Sequence, residues 1–286
     1  MMYNKKLNKK AARSRMKKSG TKRAGTRPGK GKSRRQMCAE YGRFADVYDQ
    51  LMGGVNYDGW AGYLDALLRG FGAADGASVL DCACGTGALT LRLQKLGYRV
   101  TGFDRSEEML AAAQQKARRA GMKIPFVLQD MCALSVHKPA YAVTCACDGV
   151  NYLLSNGELR AFFKSANEAL VPGGLLLFDV SSAYKLEHVL GGHTYGEDTD
   201  ECAYIWQNAF DPETRLLEMD LTFFVPDGGG RYERFTERHV QRAHEPEELL
   251  FALEKSGFEP MGVYDAFTQN EPAAACERIQ FAAKKK

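Results

Sequence analysis

The chain has 286 residues, 45% of them hydrophobic, enough to bury one large core or two modest ones. Its net charge of +4 averages two unlike regions: residues 1–36 carry 15 Lys and Arg and no acid, leaving 24 basic against 35 acidic residues over 37–286. No apolar run reaches bilayer length and the eight cysteines follow no secreted-scaffold spacing; this excludes a membrane span and a disulfide framework, and leads us to expect a reducing, cytoplasmic compartment.

Residues 1–36 hold almost nothing apolar beyond Leu7 and Met16, so they cannot offset their own conformational entropy and are predicted to form a disordered basic arm. Three readings of the arm stay open: a solvated tail upstream of an initiator at Met37, a phosphate-binding segment for RNA or DNA, or a transit peptide. In "YGRFADVYDQLM" (41–52), Tyr41, Ala45, Tyr48 and Asp49 share a helical face. A second helix is expected over Trp60–Arg69. "ASVLDCA" is a short apolar run ending in a polar turn, as a buried parallel strand does. A helix over 88–96 stops at Gly97, "YRVTGFD" is a strand, and Ser106 caps a helix running to Arg119. "IPFVLQD", "YAVTCACD", a helix over 157–170 and "GGLLLFDV" continue the alternation, which predicts parallel βαβ units in a doubly wound α/β sheet.

After Val180 the rhythm changes. "CAYIWQNAF", "LLEMDLTFFVP" and "RYERFTERHVQRA" are extended runs separated by "DPET" and "DGGG", which predicts a small antiparallel insertion over residues 196–245 that caps the body. Met219, Leu221, Phe223 and Val225 alternate on one face of its middle run. "EPEELLFALEKSGF" reads as a helix and "ERIQFAAK" as a closing strand.

Ligands of open α/β sheets sit beyond the carboxyl ends of the strands, beside the first one. Asp81, Asp104, Asp130, Asp148 and Asp179 all end predicted strands. Asp104 lies roughly 20 residues past the glycine turn, where an acid can accept from ribose hydroxyls. Gly85 and Gly87 let the backbone approach a ligand. Gly-x-Gly alone is a weak signal. Thr90 stands where a nicotinamide-binding turn wants Gly or Ala, and the Gly-Lys-Ser/Thr of a Walker loop is absent.

Taken in order, "VLDCACGTG", "GFDRSEEML", "LQDM", "CACDGVNYLL" and "LVPGGLLLFD" make the chain, from about Tyr41 onward, resemble the class I S-adenosylmethionine-dependent methyltransferases. The resemblance implies one such domain over residues 37–286, with a Rossmann-like, mostly parallel seven-stranded sheet whose last strand is antiparallel. It implies S-adenosyl-L-methionine as cofactor. Asp81 and the Gly85–Thr86–Gly87 loop would hold its methionine part, with Tyr41 covering the carboxylate end. Asp104 would take the ribose hydroxyls, Arg105 or Met109 would flank the adenine, Asp130 would meet the adenine amino group with Met131 beside it, and Asp148 would lie near the sulfonium. Ala83 departs from the family, where glycine is common; alanine fits there only if φ is negative.

Methyl transfer needs no protein nucleophile, and a base only when the acceptor arrives protonated. Asp148, Tyr152, His239 and Glu237 are the candidates. Cys82, Cys84, Cys145 and Cys147 end neighbouring strands and could converge on zinc, but packing as small apolar residues is the simpler expectation, so no metal is assigned. "CDGVNY" lacks the Pro-Pro-Tyr of exocyclic amino-group nucleic-acid enzymes, no Asp-x-Pro-Cys of the RNA cytosine enzymes occurs, and the body is acidic. The acceptor is therefore expected to be a small molecule. The alternatives are an RNA or ribosomal-component substrate delivered by residues 1–36, a non-catalytic interaction module and, last, a nicotinamide oxidoreductase.

Overall fold

The computed structural model describes Ala45, Val47, Tyr48, Asp49 and residues 51–286; the basic arm and Tyr41 lie outside the described residues. Five helices and two sheets follow the helical turn at Ala45–Asp49. The larger sheet contains β1 (Ser78–Cys82), β2 (Arg99–Asp104), β3 (Phe126–Leu128), β4 (Ala140–Cys145), β5 (Leu170–Ser181), β10 (Phe258–Asp265) and β11 (Arg278–Lys285). Its order is β10-β11-β5-β4-β1-β2-β3, with β1 to β5 parallel and β11 antiparallel to both of its neighbours. This is the doubly wound, mostly parallel seven-stranded sheet that the sequence led us to expect.

Strand residues alternate between two apolar layers, as a pleat of period two requires. Leu80, Cys82, Val143, Cys145, Leu176 and Phe178 face the layer built by α4 (Asn156–Ala169) and α5 (Pro246–Lys255). Val79, Ala142, Leu175 and Leu177 face the layer of α1 (Tyr57–Gly70) and α2 (Ala88–Lys95). Local chemistry sets the helix starts. Asn56 accepts from the Gly59 amide at the head of α1, and Ser106 accepts from the Met109 amide at the head of α3 (Glu107–Arg119). Ser155 and Glu158 form a reciprocal capping box on α4.

The second sheet is antiparallel, in the order β6 (Thr194–Asp198), β7 (Ala203–Asp211), β8 (Leu216–Pro226), β9 (Tyr232–Arg242). One strand more than the three extended runs is present, because β6 was not visible in the sequence. A π-helical turn, Lys185–Leu190, leads from β5 into this cap. Leu186, Leu190, Leu217, Met219, Leu221 and Phe223 pack there with Ala45, Val47 and Met109 in a third apolar cluster, above the carboxyl end of the parallel strands. Among the described residues no helix is long and apolar enough to cross a membrane.

Candidate functional site

Between the carboxyl ends of the parallel strands and the cap lies a cavity of about 1290 Å³. One half is built on β1, β2 and β3. The turn after β1 carries positive φ at Ala83 (52°), Gly85 (52°) and Gly87 (73°). Ala83 thus adopts the left-handed backbone that the sequence reading required it to avoid, at a cost of about 1–2 kcal/mol. A Cβ placed on Gly85 would meet nothing within 4 Å, so the loop is bare on the cavity side. Gly87 has another reason to be glycine: a Cβ there would press on Ala113 and Phe126 at 3.0–3.2 Å.

Asp104 ends β2 and holds this turn in place. Its Oδ2 accepts from the Gly85 amide at 2.8 Å and its Oδ1 from the Ser106 amide at 2.9 Å. Each oxygen keeps acceptor capacity for a further donor in the cavity. Burial raises its pKa, which these amides partly offset. Arg105, Met109, Asp130 and Met131 line the same half. Asp130 Oδ1 accepts from the Cys132 amide at 2.8 Å, capping a short helical turn.

Three of the residues expected at the cofactor, Asp81, Thr86 and Gly87, do not line the cavity. Asp81 sits beneath the loop, where Thr90 donates to one oxygen at 2.6 Å and Thr144 to the other at 2.9 Å, tying α2 and β4 to β1. Thr86 is buried and donates to Asp49 at 2.7 Å, and Lys116 pairs with the same carboxylate at 2.8 Å, so the N-terminal helical turn is latched to the glycine loop and to α3. Gly87 is spent on packing. These residues shape the loop from behind; Gly85, Asp104, Arg105, Met109, Asp130 and Met131 face the open space.

The other half belongs to β4, β5, β11 and the cap. Asp148 lies in left-handed backbone (φ 58°) after β4. Its Oδ1 accepts from Arg278 at 2.7 Å and its Oδ2 from Gln241 at 2.9 Å. Burial works to raise its pKa, but Arg278 and then Lys185 overcome it and hold this carboxyl well below the usual range. Asp179, wholly buried at the end of β5, accepts from the same guanidinium and from the amides of Cys147 and Asp148. Arg278 also lies over the Trp60 ring, 5.4 Å from its centroid.

Tyr152 and His239 meet across this half, hydroxyl to Nδ1, at 3.3 Å. Burial, and then Arg105, push the His239 imidazole down to about 4, so it is neutral at physiological pH. On β9, Glu237, His239 and Gln241 alternate on the buried face, in register with Leu221, Met219 and Leu217 of β8. Three polar side chains on the inner face of a sheet are unusual and mark this strand as a wall of the site. Lys185, Gln241, Arg278 and Trp206 also line the cavity and were not singled out from the sequence. The seven described cysteines are free thiols, and among the described residues no three His, Cys, Asp or Glu side chains group to hold a metal.

Residues 79–174 match a family described as a methyltransferase domain. A relative from Geobacillus sp. (strain WCH70) that bears a methyltransferase name is 39% identical, covering 86% of this chain and 99% of its own. YqeM of Bacillus subtilis (strain 168), whose name also describes a methyltransferase, is 39% identical, with 86% and 97% covered. Among solved structures, an S-adenosylmethionine-dependent methyltransferase from Clostridium acetobutylicum ATCC 824 superposes with a TM-score of 0.78 at 32% identity, covering 86% of this chain and 98% of that one.

Proposed function

This chain belongs to the S-adenosylmethionine-dependent methyltransferases, and from that premise we propose that it methylates a small-molecule acceptor held between the sheet edge and the antiparallel cap. The residues present fit the cofactor. The bare Gly85 turn gives backbone access, Asp104 offers acceptor capacity suited to a ribose diol, and the Met109 and Met131 side chains give apolar flanks for a purine. Asp130 is placed to meet an exocyclic amino group. When bound, S-adenosylmethionine supplies an electrophilic methyl group on its sulfonium, for attack in line by the acceptor's lone pair.

The observation that carries the small-acceptor reading is the burial of the second half. His239, Gln241 and Lys185 are each at most 8% exposed, and all three line the cavity under the cap. A polymer lying across the surface would not touch them. The chain's work is then alignment and exclusion of water. Asp148 is a poor base, since its oxygens are committed to Arg278 and Gln241 and its pKa is held low. The neutral Tyr152–His239 pair is the better partner for an acceptor N–H or O–H.

Two measurements test this. Calorimetric titration of the full chain with S-adenosylmethionine should show binding that Asp104→Ala weakens by about ten- to a hundredfold, the worth of a charge-assisted hydrogen bond. Incubation of a cell extract with methyl-labelled cofactor should then place the label in the small-molecule fraction. Label in RNA or protein would overturn the reading and turn attention to residues 1–36.

A further inference from the structure

Lys185 opens the π-helical turn between β5 and the cap, a backbone form that recurs at functional sites. Its side chain lines the cavity while the residue is only 8% exposed. Among the described residues its ammonium reaches one group, the Ser181 hydroxyl at 3.5 Å, the outer limit of a hydrogen bond. No carboxylate of the described residues lies within ion-pairing reach of it. The two acids of this quarter, the partly buried Asp148 and the buried Asp179, are both taken by Arg278. Glu277 lines the cavity but is exposed.

A buried ammonium that makes no direct ion pair is costly; Asp148 and Glu277 favour its charge only from beyond ion-pairing distance, and an anionic ligand in the cavity would supply the close partner. The cavity wall is mixed: Leu190, Met219 and Leu221 are apolar, and among the described residues the buried indole N–H of Trp206 has no hydrogen-bond partner. That combination suits a compact ligand with an apolar body and one charged end. We propose that the methyl acceptor carries an anionic group, a carboxylate or a phosphate, that pairs with Lys185. The proposal rests on the small-acceptor reading above and names the substrate class of that same site. Lys185 sets which acceptors enter; it takes no part in moving the methyl group. Burial, and then the Arg278 guanidinium, disfavour its charge and outweigh Asp148 and Glu277, which favour it; a bound anion would favour it further.

The test uses the full chain loaded with S-adenosylhomocysteine and three probes that share an aromatic body: benzoate, phenyl phosphate and benzamide. Binding is read from the fluorescence of Trp206, at the cavity wall, and from the melting temperature. At least one anion should bind about tenfold or more tightly than benzamide, as expected for a charged hydrogen bond, and the preferred one names the acid group. In Lys185→Met that preference should vanish with S-adenosylhomocysteine affinity unchanged, whereas Lys185→Arg should retain it. Absence of an anion preference in the wild type would overturn the proposal, as would its persistence in Lys185→Met. Failure of the wild type to bind S-adenosylhomocysteine would bring down the cofactor reading and this proposal with it; the anion arms fail independently of that reading.

Discussion

Asp81 lies near the end of β1 and Asp148 just beyond the neighbouring β4, yet their surroundings move them in opposite directions. Asp81 has two hydroxyl partners and no cation, so burial dominates and pushes its carboxyl up to about 6. Asp148 has a guanidinium at 2.7 Å and stays ionised. The consequence for Asp81 has a definite sign. Between about pH 4 and 6 the native chain holds a proton that the unfolded chain has released, so this residue's contribution to stability falls as pH rises through that window. Asp81→Asn keeps an acceptor and a donor for Thr90 and Thr144 and removes the titration. Relative to wild type, the variant should gain up to about 3 kcal/mol on going from pH 4 to pH 7, the free energy that corresponds to the change in pKa. Urea titrations at the two pH values check this, and an equal difference at both would show that Asp81 titrates normally.

At the scale of elements, the cap is a sheet with its own small core. Phe223 is wholly buried at its centre, stacked on Phe235 at 5.0 Å and near Tyr204 at 6.3 Å. Phe223→Ala should cost about 3–5 kcal/mol locally. Hydrogen exchange should then quicken in β7, β8 and β9 while β1 and β4 keep their protection; uniform loosening of both sheets would mean that cap and body melt as one unit. The elements also differed in how far the sequence revealed them. β1 and β2 are apolar runs with an acid at or near their ends; Gly85 lies in the turn after β1, Asp104 ends β2 and Asp130 follows β3, so this half of the site was legible. β6, "TYGED", is exposed on both faces and shows no alternation. β10, "FEPMGVYD", contains Pro260 and Gly262, residues that argue against a strand. Lys185, Gln241 and Arg278 reach the site through the π-helical turn and through pairing of distant strands, for which no local spacing exists. Glu237, His239 and Gln241 did leave a trace, as polar residues alternating on one strand, of which the first two were named as candidate bases.

Across the whole molecule, Arg278 joins parts that are far apart in the chain. It bridges Asp148 and Asp179 from a strand 99 residues beyond the latter, and covers Trp60 of α1. Arg278→Met would leave the buried Asp179 and the partly buried Asp148 without their shared cation, a loss of about 3–5 kcal/mol. Urea denaturation should register it as a lower midpoint, and Arg278→Lys should recover only part, because one ammonium cannot reproduce the fork that serves both acids. The place of β11 has a consequence for biosynthesis. Ribosomes deliver β10 before β11, yet β11 is the strand that separates β10 from β5. During synthesis β10 therefore emerges with no neighbour to pair with, and the long apolar edge of β5 stays open to solvent and to other chains. The last strand of the sheet closes that edge and delivers Arg278 to its two carboxylates in a single step, so a nascent chain covers its open edge and completes this wall of the cavity at the same moment.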